Sequence, residues 1–140
     1  MDRNVRLALT MCQQDPEDGE TVTELSAEAQ YFKRDDAHYI LYEETAEDGA
    51  SVKVRIKLKG LLLEVTRRGA IHSHMIFETG REHTMEYTTP FGILMMGVLT
   101  HSVKAYLSDN ELTIAADYSL TASEAKISQC KITIKIQNRV

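Results

Sequence analysis

The run VKVRIKLK at residues 52–59 constrains the fold more than any other part of the chain, because an apolar residue alternates with a lysine or arginine throughout it. Successive side chains of a β-strand point to opposite faces, so a period of two is typical of a strand with one face in a core and the other in solvent. The cationic members are Lys53, Arg55, Lys57 and Lys59. The run therefore predicts a β-strand whose outer face is positively charged.

Most of the chain shows the same period. Residues 5–11, 112–120 and 130–136 alternate in this way, and turn-forming sequences such as Asp48-Gly49 separate the alternating runs. About eight to ten short strands without a long helical pattern predict an all-β fold. We expect residues 1–140 to form a single domain, a closed antiparallel up-and-down β-barrel, since closure removes exposed strand edges; a β-sandwich is the alternative.

Three segments depart from simple alternation. Val22 lies out of phase with Leu25, which predicts a β-bulge near Glu24. In HSVKAYLSDN, residues 101–110, a short helical turn competes with a strand, and SLTASEAK, residues 119–126, is predicted to be a turn.

Composition and charge narrow the class of protein. The 140 residues are 43% apolar and 26% charged, which is typical of one globular core. A net charge of -5 repels phosphate backbones and anionic lipids, so neither nucleic acid nor membrane is an expected partner. No apolar run has the length of a signal peptide or a membrane span, so we expect a cytoplasmic protein in which Cys12 and Cys130 are free thiols, even if their strands pair.

Two segments resemble a known family. In TRRGAIHSHMIFETG and YTTPFGILMMGVLT, the residues that carry the resemblance are Arg67, Gly69, Ser73, Met75, Phe77, Gly80, Tyr87, Thr89, Pro90, Gly92, Gly97 and Thr100. YILYEE at Tyr39–Glu44 and the ending KITIKI are similar too, so the chain resembles the YwiB-like family of uncharacterised bacterial proteins over nearly its whole length. Residues Leu120 to Cys130 depart from the family's Asn-Gly-type turn. The resemblance implies a calycin-type, lipocalin-like barrel and no established activity.

Arg67 is the most informative polar residue, because it continues the apolar phase of Leu63 and Val65. A guanidinium that enters a barrel interior needs a partner, since an unpaired buried charge costs several kcal/mol. It either pairs with an inward carboxylate, for which Glu43 is the candidate, or binds the anionic head group of a ligand. Hydroxyl groups from Tyr87, Tyr118 and Tyr39 are the candidate additional donors.

The residues around Arg67 in this register are apolar. Ser73, Met75 and Phe77 share the inward phase of one strand, and Met85 and Tyr87 share that of the next. Met75, Met85, Met95, Met96 and Phe77 are adaptable apolar side chains that can line a ligand site or simply fill a core. The candidate ligand-binding residues are Arg67, Tyr87, Met75, Phe77 and Met85.

The histidines indicate little chemistry. His72 and His74 share the outward face, where with Glu82 or Glu86 they can in principle hold a metal, although polar residues on an exposed face are the ordinary interpretation. Ser73 points the opposite way, so no serine–histidine pair is expected. We therefore expect no catalytic residues, no metal site and no cofactor.

Three functional hypotheses follow. The first is a non-enzymatic barrel that binds a small, partly apolar and anionic ligand in its lumen. The second is a structural or protein-interaction module with a filled core, whose outer cations Lys53, Arg55, Lys57 and Lys59 meet a partner. The third and weakest is a metal- or haem-binding protein that uses His72, His74 or His83. The sequence does not indicate an oligomeric state.

Overall fold

The structure, a computed structural model, describes residues 1–46, 48–122 and 126–139. Within them the chain forms ten β-strands that pair into one antiparallel sheet. The strands are β1 Asn4–Asp15, β2 Gly19–Arg34, β3 Ala37–Thr45, β4 Ser51–Lys59, β5 Leu62–Gly69, β6 Ser73–Phe77, β7 Glu82–Thr89, β8 Gly92–Leu107, β9 Glu111–Ala122 and β10 Lys126–Asn138. No helix in the described part of the chain is long and apolar enough to cross a membrane.

The sheet curls into a nearly closed barrel with up-and-down topology. Its strand order is β6-β5-β4-β3-β2-β1-β10-β9-β8-β7, so neighbours in the sheet are neighbours in sequence except at β1–β10. The first and last strands pair over ten positions, from Val5 with Asn138 to Gln14 with Gln129. The all-β barrel predicted from the alternation is confirmed, and its incomplete join lies between β6 and β7.

The predicted inward phases form the core. Val52, Val54, Ile56 and Leu58 of β4 are each at most 2% exposed, whereas Lys53 and Arg55 between them are exposed. Fully buried side chains of the opposite wall, including Leu7, Ile134 and Ile136, complete the apolar interior. Gly69 ends β5 with a φ of +130°, and a Cβ there would lie 2.5 Å from the Ser51 carbonyl oxygen, so the close approach of β4 requires glycine.

The structure corrects the predicted bulge and part of the predicted turn, and it settles the open alternative at residues 101–107. No bulge lies near Glu24, because β1 and β2 pair in continuous register and Val22 is simply 51% exposed in a ribbon that extends beyond the core. The register shift lies instead between Thr100 and Ser102. Residues 101–107 continue β8, and Ser119–Ala122 continue β9, so strand replaces the competing helical turn and part of the predicted turn. The remaining turn residues, 123–125, lie outside the described part of the chain.

The two cysteines are free thiols, as expected. They lie on adjacent strands, where Cys12 pairs with Lys131 and Cys130 pairs with Gln13. Alternation then places the two side chains on opposite faces of the sheet. Burial raises the pKa of the Cys130 thiol.

Candidate functional site

Arg67 lies on the inner face of β5, after the fully buried Leu63 and Val65. Its Nε donates a hydrogen bond of 3.1 Å to Oε1 of Glu44, and the two side chains are 20% and 23% exposed. Burial is the largest single effect and disfavours the charged guanidinium, but the Glu44 carboxylate, with smaller contributions from Tyr42 and Tyr87, outweighs it and raises the pKa of Arg67. The inward arginine predicted from the sequence is thus charged and paired internally.

The predicted partner, Glu43, is wrong by one position. Glu44 pairs with Val52 in the β3–β4 ladder and therefore shares the inner face, whereas Glu43 is exposed and accepts a 3.2 Å hydrogen bond from Ser51 Oγ. Both phases of YILYEE carry apolar residues, so hydrophobicity alone does not choose between them. The unambiguous phase of β4, combined with the length of the turn between β3 and β4, is the signal that selects Glu44.

Tyrosines extend this polar cluster. The Tyr42 hydroxyl donates to Glu44 Oε2 at 2.9 Å, and burial together with the Glu44 charge raises the pKa of Tyr42, so it remains a protonated donor. Tyr118 of β9 is 2% exposed, and its ring meets Phe77 edge-on at 4.9 Å. Tyr39, predicted as a donor, lies on the outer face against Lys57, and Tyr42 takes its place.

Arg67 retains capacity for a further partner. Its Nε donates to Glu44, and the Tyr42 hydroxyl also interacts with the guanidinium, which leaves further N–H groups of the two terminal amino groups as donors. Directly across the β5–β6 ladder lies Ser73, which is 6% exposed and whose Oγ has no hydrogen-bond partner among the described residues. A buried hydroxyl without a partner is unusual and requires an explanation.

The predicted lining residues all lie on the inner face near this cluster. Phe77 is fully buried, Met85 is 7% exposed, and Met75 and Tyr87 are partly buried. Tyr87 lies within electrostatic range of Arg67. Met95 is different: it is 53% exposed beside Ile93 and Leu94, so its grouping with the lining methionines is wrong. Glu44 and Tyr42 are the members of the cluster that the sequence did not indicate.

A cleft opens beside this cluster, where β6 and β7 diverge. A single bridge between His72 and Thr88 and the turn at Thr79–Gly80 bound the cleft at its ends. Ser73 and Met85 form its inner wall, and its outer rim is polar. Ser73 and Met85 are only 6% and 7% exposed, so the cleft lies on the outer face and these two side chains separate it from the Arg67 cluster.

The histidines serve separate structural contacts. His74 Nε2 lies 2.9 Å from Glu64, and His83 Nε2 lies 3.0 Å from Glu78, so each imidazole has its own carboxylate. No group of three potential metal-ligating side chains occurs in the described part of the chain. The geometry gives the metal hypothesis no support.

The sequence did not indicate one serine–histidine contact, because it joins residues of two strands, β8 and β9. His101 Nε2 lies 2.7 Å from Ser119 Oγ, and Ser119 donates its own proton to Gln129 Oε1 at 2.9 Å. His101 is therefore the donor in its contact with Ser119 and does not accept the serine's proton. A nucleophilic serine needs the opposite arrangement, so this chain of hydrogen bonds joins strands rather than activating Ser119.

These features define a class: a small antiparallel β-barrel whose wall holds an arginine–carboxylate–tyrosine cluster beside a weakly paired join of two strands. The chain belongs to the family described as Domain of unknown function (DUF1934), whose model matches residues 8–134. Its fold is similar to the crystal structure of ywiB protein from Bacillus subtilis, with a TM-score of 0.89 and 22% identity over 99% of this chain and 93% of that one. The predicted resemblance is thereby confirmed. No curated protein matches the chain.

Proposed function

We propose that the protein is a non-enzymatic barrel that binds a small, partly apolar molecule with an anionic head group at the Arg67 cluster. The observation that carries this proposal is the position of Arg67, which Glu44 holds through one nitrogen only, opposite the buried and unpartnered hydroxyl of Ser73. A carboxylate or phosphate oxygen placed between them accepts hydrogen bonds from both groups.

The negative charge of Glu44 determines which kind of head group the Arg67 cluster favours. The carboxylate orients the guanidinium and cancels its charge, so the head group binds through hydrogen bonds from the Arg67 amino groups and the Ser73 hydroxyl more than through net charge. Tyr87 adds a polar group at the partly buried edge of the site. The pocket therefore favours a head group with several acceptor atoms.

The apolar part of the ligand is expected to contact Met75, Met85 and Phe77. Methionine side chains are flexible and polarizable, so they adapt to ligands of different shapes. The ligand reaches them by local opening of the join between β6 and β7, where Ser73 and Met85 separate the outer cleft from the inner face. A chain of about eight carbons is long enough to reach from the head group into the apolar wall.

The test uses octanoate as the probe, with octanol and acetate as probes that lack the charge or the tail. We expect octanoate to raise the melting temperature and to add one mass equivalent in native mass spectrometry, and the other two to have less effect. Arg67→Met should abolish the octanoate shift. Arg68→Met is the matched control, since its side chain lies on the opposite, exposed face of β5.

Two results oppose the proposal. An unchanged melting temperature with saturating octanoate favours the rival function, a structural module with a solid core, which the continuous set of buried apolar residues supports. An octanoate shift that is equal in Arg67→Met and Arg68→Met places the probe elsewhere on the molecule. Either result removes Arg67 as the ligand-binding residue.

A further inference from the structure

Positive charge is concentrated in one part of this acidic chain. Residues 51–77 contain six of the 16 Lys and Arg residues and one of the 21 Asp and Glu residues, a net charge of +5. The rest of the chain carries ten cations and twenty anions, a net charge of -10. The overall charge of -5 therefore hides a strongly basic region that spans β4, β5 and β6.

Most of these cations share the outer face of the sheet. Lys53, Arg55, Lys57 and Lys59 alternate with the buried residues of β4, and Arg68 of β5 lies directly across from Lys53. Arg68 is followed across the sheet by His72 beside β6. Within the described residues, Lys53, Arg55 and Arg68 form no ion pair. Glu43 and Glu64 lie across from Lys53 and Lys57 on the same face, so the face keeps a net excess of positive charge that can meet an anionic partner.

Aromatic rings adjoin this basic face, which the alternation of a single strand did not indicate. Phe32 of β2 and Tyr39 of β3 stack with ring centroids 4.9 Å apart and planes 10° apart. Lys57 Nζ lies 5.7 Å from the centroid of Tyr39, and Arg3 Cζ lies 5.9 Å from that of Phe32. Residues 52–59 contain no aromatic residue, and the neighbouring strands supply the rings.

The cleft at the β6–β7 join lies at the other end of the basic face. Its outer rim includes Arg55, Arg68 and His72 together with the hydroxyl-bearing Thr66 and Thr88, and the carboxylate of Glu86 on the β7 side. Arginine binds phosphate oxygens through two parallel hydrogen bonds, and threonine hydroxyls are common phosphate donors. One end of the face thus offers stacked aromatic rings, and the other end offers donors for phosphate.

We propose that this outer face, from Phe32 and Tyr39 to the rim of the cleft, binds single-stranded nucleic acid. Phosphates lie on the cations of β4 and β5, and bases take the places of the flexible Arg3 and Lys57 side chains on the outer faces of the aromatic pair. This combination of cations and stacking rings is the one by which non-specific single-strand binders work. In the described part of the chain, this face is a continuous sheet surface without a helix or projecting strand to enter a duplex groove. A single strand is therefore the favoured form of the ligand.

The test measures the fluorescence anisotropy of a labelled 20-nucleotide RNA of mixed sequence at 50 and 200 mM salt. The double variant K53E/R55E should weaken binding at least tenfold and reduce the salt slope by about 1.4, as expected for the loss of two phosphate contacts. The control K104E/K131E makes the same charge change with residues of β8 and β10 and should bind within about twofold of the wild type after allowance for net charge. Melting temperatures confirm that each variant is folded.

A second comparison separates stacking from charge. Tyr39→Leu should weaken RNA binding at least threefold and leave the binding of inorganic polyphosphate unchanged. Duplex RNA of the same sequence should bind more weakly than the single strand. The proposal is overturned if wild-type protein does not bind the RNA at 50 mM salt, if both double variants weaken binding equally, or if duplex and polyphosphate bind as well as the single strand.

Discussion

The barrel has two unusual joins, β1–β10 and β6–β7, which differ sharply in the number of residues that pair across them. At β1–β10 the two ends of the chain pair over ten positions, and side chains such as Leu7 and Ile136 are fully buried beneath them. At β6–β7, consecutive strands joined by a short turn share one bridge, between His72 and Thr88. Proximity in sequence therefore does not ensure pairing here, and the weakly made join is the one that adjoins Arg67.

The fold thus assigns the stability of the barrel to one join and the proposed entry of a ligand to the other. A continuous ladder distributes the closure of the barrel over many hydrogen bonds, so β1–β10 is expected to open only with global unfolding. A single bridge is expected to open locally at a much lower free energy. The ligand route that we propose uses the second join and leaves the first intact.

Hydrogen exchange should show the largest difference between the joins. Amides paired between β1 and β10 are expected to exchange only through global unfolding, with a free energy of about 5–15 kcal/mol. Amides of β6 and β7 that face the cleft should exchange faster by at least about a thousandfold, a difference of about 4 kcal/mol. Similar protection at both joins, measured by NMR-detected exchange, would contradict the comparison.

The second largest difference is expected in the stability lost when an apolar side chain is truncated in β1 or in β6. Leu7→Ala removes a fully buried side chain from β1, so it should destabilise the protein by about 2–5 kcal/mol. Ile76→Ala, on the partly exposed outer face of β6, should cost less than about 1.5 kcal/mol. Urea denaturation gives both values, and equal costs would mean that the β6 strand is as tightly packed as β1.

Removing the counter-charge of Arg67 should have an intermediate effect. Glu44→Gln leaves a mostly buried guanidinium without its carboxylate, and since both side chains are about one-fifth exposed the loss should be about 1–2 kcal/mol rather than the larger value of a fully buried pair. Glu43→Gln, at the exposed neighbouring position, is the control and should change stability by less than about 0.5 kcal/mol.

The double variant E44Q/R67M completes this test. It removes both charges, so it should be more stable than E44Q alone if the unpaired guanidinium is the cause of the loss. A double variant less stable than E44Q would show that Arg67 contributes mainly through its apolar stem.

The smallest expected effect lies at His38, away from both joins. Burial, with a smaller contribution from Lys33, lowers the pKa of His38 below 6.5, and the Tyr31 hydroxyl lies 2.6 Å from its Nδ1. Because the unfolded state then binds more protons, this contribution to stability is present above pH 6.5 and is lost as the pH falls below it. Between pH 7 and pH 5, His38→Gln should lose less stability than the wild type in urea titrations; an equal loss would assign the change to other groups.

The alternation along the chain predicts the barrel, the inner phase of β4 and the inward position of Arg67, because each depends only on which residues of one strand are apolar. The identity of the carboxylate partner could not be predicted from β3 alone, since both faces of YILYEE are equally apolar and the pairing with β4 decides the matter. The same limit explains why Phe32 and Tyr39 were not connected with the cations of Lys57 and its neighbours. The sequence of one strand shows which of its residues share a face, whereas contacts between strands depend on the pairing register.

A crystal structure of the protein with octanoate tests the proposed function most directly. We predict the carboxylate within about 3.2 Å of an Arg67 terminal nitrogen and of Ser73 Oγ, with the tail against Met75 and Met85. Octanoate bound only on the outer cations of β4, with Arg67 and Glu44 unchanged and the inner wall closed by side chains, would contradict the proposal.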